Sequence, residues 1–293
     1  MKVIRADAMG FCFGVRDALA VTETIADPQT VTIHGELVHN RQILEQLSER
    51  GFRMTPEGAH VEIPETADVL ITAHGLSDSE RERLERAGKR LIDTTCPLVR
   101  QAHRAAVALR DDGRHLLVIG RPGHVEVRGL IGDLESYDVI GSVEDVREYE
   151  TLRLGVVCQT TVSPRTATAI RTAIRKHNPR ADIRFVDTIC QPTRDRQQAL
   201  ERLLPHVDVM VIVGGRNSNN TKQLVCRCRE RNVPAHHIQA TGDIDPGWFT
   251  NCHVAGLSAG TSTPDETIRQ VYETLCQLDN NRRQADAVCM DAP

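Results

Sequence analysis

Asp93-Thr94-Thr95-Cys96-Pro97-Leu98-Val99 recurs further along the chain as Asp187-Thr188-Ile189-Cys190-Gln191-Pro192. Each copy follows a β-prone stretch, Arg90-Leu91-Ile92 in one and Ile183-Arg184-Phe185-Val186 in the other. Each precedes a helical run, with proline where the first helical turn tolerates it. Leu98, Val99, Ala102, Ala106 and Leu109 then recur at helical spacing. The N-terminus repeats the layout less literally. Lys2-Val3-Ile4 reads as a strand, Met9-Gly10-Phe11-Cys12 as a turn, and Val15, Ala18, Leu19 and Thr22 as a helix face.

The register extends beyond the cysteines. After each helix comes a strand ending in a polar, glycine-containing turn: His34-Gly35-Glu36-Leu37-Val38-His39-Asn40, Gly120-Arg121-Pro122-Gly123-His124-Val125-Glu126, and Gly214-Gly215-Arg216-Asn217-Ser218-Asn219-Asn220. His39, His124 and Ser218 lie 27, 28 and 28 residues beyond their cysteines. A second strand and turn follow in each third, and His74, Thr160 and Ser262 fall 62, 64 and 72 residues beyond the same cysteines. Three α/β units in one chain are expected, with largely parallel sheets. Such sheets bind ligands outside the carboxyl ends of their strands, where all nine residues stand. The bland alternative is a divergent repeat whose polar turn residues only cap helices.

Composition narrows the function. The net charge of −4 argues against a nucleic-acid partner, which needs a basic face. No apolar run approaches the roughly 20 residues of a membrane span, and the N-terminus lacks a secretory pattern. A soluble, cytoplasmic protein is expected. Its nine scattered cysteines read as ligands or buried thiols rather than disulfides. Spaced CxxC pairs are absent, and Cys226-x-Cys228 sits in a helix-like stretch that turns its two thiols to different faces. Cys12, Cys96 and Cys190 supply one thiolate per third. Three thiolates suit a [4Fe–4S] cluster with one iron open to substrate, and zinc on the same three remains the competing reading.

His39, His74, His124, Ser218, Asn220 and Ser262 form a donor-rich set suited to a phosphate or diphosphate. Glu126 is a carboxylate among these donors. Its functional reading is a proton donor with a raised pKa, and its bland reading is a surface partner of Arg128 or Arg121.

The motifs GFCFGV (10–15), LVHN (37–40), AHG (73–75), DTTCPLV (93–99), GHVEV (123–127), QTT (159–161), DTIC (187–190), GGRNSNN (214–220) and AGTSTPD (259–265) together resemble the LytB/IspH family of 4-hydroxy-3-methylbut-2-enyl diphosphate reductases. The resemblance runs from about Met1 to Leu278. It implies a pseudo-threefold trefoil of α/β domains (13–96, 97–190 and 191–279, the last joined by strand 1–12) around one [4Fe–4S] cluster on Cys12, Cys96 and Cys190, with a flexible tail at 280–293. It implies reductive dehydroxylation of that diphosphate to isopentenyl and dimethylallyl diphosphate, the last step of the methylerythritol phosphate route. Carried over by motif, His39, His74, His124, Ser218, Asn219, Asn220 and Ser262 grip the diphosphate. Glu126 delivers protons with His124 beside it, and Thr160 orients the substrate hydroxyl and Glu126. Electrons would come from ferredoxin or flavodoxin, because Gly214-Gly215-Arg216 lacks a nucleotide-binding fingerprint. Two positions depart from the family pattern: Val125 stands where GHPEV has proline, and Asn219 replaces the second serine of NSSN.

Three alternatives stay open from sequence. One is a cluster-carrying sensor without turnover, which retention of Glu126 and Thr160 opposes. The second is a zinc-dependent phosphohydrolase on the same frame. The third is a related allylic diphosphate reductase with a drifted substrate.

Overall fold

Short apolar runs bounded by polar turns become parallel strands, and the amphipathic runs between them become crossover helices. The computed structural model describes residues 1–56 and 62–290, with 279–290 as helical backbone only. Along the chain the elements are β1 (Lys2–Arg5), α1 (Phe13–Glu23), β2 (Val31–His34), α2 (Arg41–Glu49), β3 (Arg53–Met54), β4 (Asp68–Ile71), α3 (Asp78–Arg86), β5 (Arg90–Asp93), α4 (Pro97–Asp111), β6 (His115–Ile119), α5 (Val125–Ile131), β7 (Tyr137–Ile140), β8 (Arg153–Cys158), α6 (Pro164–His177), β9 (Asp182–Phe185), α7 (Gln191–Leu203), β10 (Val209–Val213), α8 (Asn219–Glu230), β11 (Ala235–Ile238), β12 (Val254–Ala259) and α9 (Asp265–Met290).

Two compact units divide the chain, one of residues 13–193 and one of 1–12 with 194–293. The first holds two four-stranded sheets, ordered β3-β2-β4-β5 and β7-β6-β8-β9. The second holds one, ordered β11-β10-β12-β1, in which the N-terminal strand pairs with β12. Every ladder is parallel. The three sheets therefore share one strand order, the α/β architecture that the repeat predicts. The short edge strands β3, β7 and β11 carry no recurring motif and were not evident from sequence.

Helices cover both faces, which is why central strands are apolar throughout. In the β6–β9 sheet, Leu117, Ile119 and Val156 pack with Ile170 and Ile174 of α6. Leu116, Val118 and Val157 face the other way, against Ala102, Ala106 and Leu109 of α4. In the second unit, Val211, Val213 and Leu257 pack with Val271 and Leu275 of α9, and Met210 and Ile212 with Leu200, Leu224 and Cys228. Rigid sheets then end in short turns, and these turns carry the candidate residues. The tail expectation at 280–293 concerns side chains, and at 291–293 whole residues, that lie outside the described part of the chain.

Candidate active site

The DTxC repeat is a device for setting a cysteine at a helix start. Asp93 Oδ1 accepts the N–H of Thr95 at 2.9 Å, and Asp187 Oδ1 that of Ile189 at 3.2 Å, a turn closed by the aspartate side chain. Thr94 Oγ1 donates to the carbonyl of Ile71, and Thr188 Oγ1 to that of Cys158, latching each turn to the neighbouring strand. Cys96 then becomes the N-cap of α4 with Pro97 at its first position, and Cys190 immediately precedes α7. Cys12 precedes α1 in the same way. A helix N-terminus favours negative charge, so each position suits a thiolate.

One hydrogen bond recurs in all three thirds. The amide of Cys96 donates to Ala73 O at 3.1 Å, that of Cys190 to Thr160 O at 3.0 Å, and that of Cys12 to Thr261 O at 3.1 Å. Each cysteine is thus tied to the turn that carries His74, Thr160 or Ser262. The sequence register placed these residues in equivalent positions, and the backbone pairs each turn with the cysteine of the strand beside it.

In the unit of residues 13–193, three histidines meet. His39 and His74 stack with ring centroids 4.3 Å apart, and His124 stands edge-on to both at 5.0 and 5.8 Å. His39 Nε2 lies 3.2 Å from His124 Nε2, and His39 Nδ1 lies 2.9 Å from Glu36 Oε2. His124 is the N-cap of α5, its Nδ1 accepting the N–H of Glu126 at 3.1 Å. Burial holds His74 well below the usual imidazole range, and the two neighbouring imidazoles add to that shift. The Nδ1 of His74 is buried without a hydrogen-bond partner among the described residues. A cluster of this kind is held at a cost that an anion would offset.

Glu126 is 2% exposed, so it is not the surface residue of the bland reading. Its Oε1 accepts the N–H of Thr160 at 2.6 Å. Burial raises its pKa, against the lowering effects of the Thr160 hydrogen bonds and of His39. Thr160 therefore holds Glu126 through its amide and Cys190 through its carbonyl. Val125, in the place of the family's proline, is the first residue of α5 and is buried, and the His124 cap still fixes the turn.

In the other unit, Ser218 caps α8, its Oγ accepting the N–H of Thr221 at 3.3 Å. Asn219 and Asn220 open that helix, and Asn220 Oδ1 accepts the N–H of Thr261 at 3.3 Å. Ser218, Asn219, Asn220 and Ser262 are all buried. Gly214 and Gly260 both press on Thr221, where a Cβ on either would meet Thr221 Oγ1 at 2.4 or 2.1 Å. Only glycine lets the two turns close on the helix start in this way.

Two residues of the site were missed from sequence. Glu36 lies within a quoted turn, but nothing in its spacing distinguishes it from a surface carboxylate. Gly14 is the other: a Cβ there would stand 2.5 Å from Cys96 Sγ. A further group, Asp78, His103 and Asp133, has ligand atoms close together. Local structure accounts for it, since Asp133 accepts the N–H groups of Asp78 and Ser79 at the start of α3 and pairs with His103 at 2.9 Å.

Parallel sheets ending in thiol-bearing helix starts, with an imidazole cluster and a buried acid, mark the chain as an α/β enzyme. The chain belongs to the LytB family, whose model, described as "LytB protein", matches residues 3–276. It is 33% identical to the 4-hydroxy-3-methylbut-2-enyl diphosphate reductase of Azoarcus sp. (strain BH72), over 94% of this chain and 90% of that one. It is equally 33% identical to the enzyme of that name from Aquifex aeolicus (strain VF5), over 95% and 97%. Among solved structures, the E-1-hydroxy-2-methyl-but-2-enyl-4-diphosphate reductase from Plasmodium falciparum superposes with a TM-score of 0.85 at 26% identity, covering 93% of this chain and 87% of that one. A structure described as (E)-4-hydroxy-3-methyl-but-2-enyl diphosphate reductase, the terminal enzyme of the non-mevalonate pathway, matches with a TM-score of 0.65 at 33% identity, covering 94% and 100%.

The family is one of iron–sulfur enzymes, and the donor set fits such a group. Cys12, Cys96 and Cys190 are outside any disulfide and partly accessible. Each stands at a helix start. The missing side chain of Gly14 is what leaves Cys96 Sγ its space. Among the described residues, no helix is long and apolar enough to cross a membrane.

Proposed function

We propose that this chain reduces 4-hydroxy-3-methylbut-2-enyl diphosphate to isopentenyl and dimethylallyl diphosphate, the terminal step of the methylerythritol phosphate route. The observation that carries this reading is the buried Glu126 held by the Thr160 amide beside an imidazole cluster. Cys12, Cys96 and Cys190 are the residues that would hold the cluster. When bound, a [4Fe–4S] cluster with three protein ligands supplies electrons and one Lewis-acidic iron for the substrate oxygen.

The chain's own groups do the rest. The N–H groups of His39, His74 and His124 suit phosphate oxygens. The hydroxyls of Ser218 and Ser262 and the amides of Asn219 and Asn220 add neutral donors. Two of these side chains also cap helices, so the helix N-termini add their dipoles to anion binding. Glu126 carries the proton for the departing hydroxyl. Its burial favours the protonated acid, and the Thr160 amide fixes the carboxyl in place. Two electrons and two protons are consumed overall: one proton leaves with the hydroxyl as water, and the second joins carbon to give isopentenyl or dimethylallyl diphosphate. Two electrons enter singly from a low-potential protein carrier, a ferredoxin or flavodoxin.

A single-turnover assay tests the reading. Cluster-loaded protein under argon, given the hydroxylated diphosphate and a chemical one-electron donor, is expected to form both products. A protein that binds the diphosphate tightly yet leaves it intact would instead be a sensor.

A further inference from the structure

We propose that Glu36 is a positioning residue that makes binding of the diphosphate a proton-uptake event at His39. The proposal rests on the diphosphate reading above and adds a residue and a proton to it.

The argument is one of tautomers, which follow from the hydrogen-bond network. His124 Nδ1 accepts the Glu126 amide proton at 3.1 Å. That nitrogen is therefore bare, and the ring carries its proton on Nε2. His124 Nε2 faces His39 Nε2 at 3.2 Å. Two N–H groups cannot point at each other, so His124 donates and His39 Nε2 accepts. His39 must then carry its proton on Nδ1, where it donates to Glu36 Oε2 at 2.9 Å. Both ring protons are thus committed within the protein.

A phosphate oxygen needs donors. For His39 Nε2 and His124 Nε2 to donate to phosphate together, one more proton must enter, at His39 Nε2. His39 becomes an imidazolium with one N–H on phosphate and the other on Glu36. His124 stays neutral, because its Nδ1 remains bound to the Glu126 amide. The groups around His39 include the Glu36 carboxylate, the His74 and His124 rings and the Glu126 carboxyl. Of these, Glu36 is in hydrogen-bond contact with His39 and can hold a full negative charge against the imidazolium. The proton comes from solvent, and no electron or covalent bond changes hands.

Calorimetric titration of the cluster-loaded protein with isopentenyl diphosphate tests this, run in buffers of different ionisation heat. At pH about 8 an alkyl diphosphate is fully ionised, so uptake reports on the protein. Uptake of about one proton per ligand is expected for the native chain. Glu36→Gln keeps an acceptor for Nδ1–H but removes the charge. Its uptake at pH 8 should fall, its affinity should drop about tenfold, as for loss of one charge-assisted hydrogen bond, and the deficit should shrink as pH falls toward 6. Glu36→Asp, keeping the charge, should recover most of the uptake. No uptake by the native chain, or equal uptake by native and Glu36→Gln, overturns the proposal while leaving the diphosphate reading standing. No binding by the native protein overturns both.

Discussion

A carboxyl group removed from water costs folding energy when it ionises, and Glu126 is such a group. Burial lifts its pKa, so between the unfolded and folded values the native state holds the extra proton. The sign follows: stability falls as pH rises through that window, because the ionised carboxylate is better solvated in the unfolded chain. Glu126→Gln keeps the shape without the charge. It is expected to melt at a higher temperature than the native chain above neutral pH, and at a similar temperature in acid, by differential scanning calorimetry. Its turnover should fall by about 10²- to 10⁴-fold, the usual contribution of a positioned acid. Near-normal turnover would remove Glu126 from proton delivery. Gly14 makes a complementary case of a residue defined by what it lacks. Gly14→Ala would put a methyl group 2.5 Å from Cys96 Sγ, and packed interiors do not absorb such a clash without moving a neighbour. The variant should keep native circular dichroism but bind less iron per chain. Full iron content would show that the Cys96 thiol has room to move aside.

Helix starts are the elements that recur at this site, and they do two jobs at once. Ser218 satisfies the Thr221 amide of α8 and is also a candidate diphosphate donor. Ser163 gives a control: it caps α6 through the Thr166 amide at 3.2 Å and belongs to no candidate-site motif. Both Ser163→Ala and Ser218→Ala should lose about 1 kcal/mol of stability in denaturant titrations, the common cost of an N-cap. Only Ser218→Ala should also raise KM. If the two behave alike, Ser218 is a cap and nothing more. This double duty explains what the sequence could and could not disclose. The DTxC copies, the GHVE and GGRNSNN turns and the spacing of His39, His124 and Ser218 were legible because each is a local device, a side chain closing its own turn. The partners across turns were not. Nothing in the spacing of Glu36 and His39 indicates a bond to the imidazole, and nothing near Gly14 points to Cys96, eighty-odd residues away. The edge strands β3, β7 and β11 were missed because, unlike the equally peripheral β1, β5 and β9, they lead into no recurring cysteine or polar-turn motif.

Across the whole molecule, one strand order is used three times, and each copy ends in a cysteine at the start of a helix. The repeat was visible in the chain because parallel sheets set their ligand positions at strand ends, which recur at similar spacing in each third. The same logic separates the candidate ligand cysteines from the rest. Cys226 and Cys228 both lie inside α8, away from its N-terminus, where no dipole favours a thiolate. Cys228 is fully buried, and its thiol is pushed up to about 12 by that burial, so it stays protonated at neutral pH. Cys226 is exposed on another face of the same helix, as the two-residue spacing requires. Cys158 and Cys252 are packed in the apolar cores. Serine at position 12, 96 or 190 removes a soft thiolate that iron needs, and serine at 226 removes only a surface thiol. Each of Cys12→Ser, Cys96→Ser and Cys190→Ser should therefore lose the visible absorbance of the cluster, its stoichiometric iron and all turnover, while Cys226→Ser keeps all three. Iron analysis of the four variants, purified anaerobically, decides the matter. If Cys226→Ser is as empty as the others, the three-thiolate assignment fails. Stoichiometric zinc in place of iron in the native chain would move the whole site to hydrolytic chemistry.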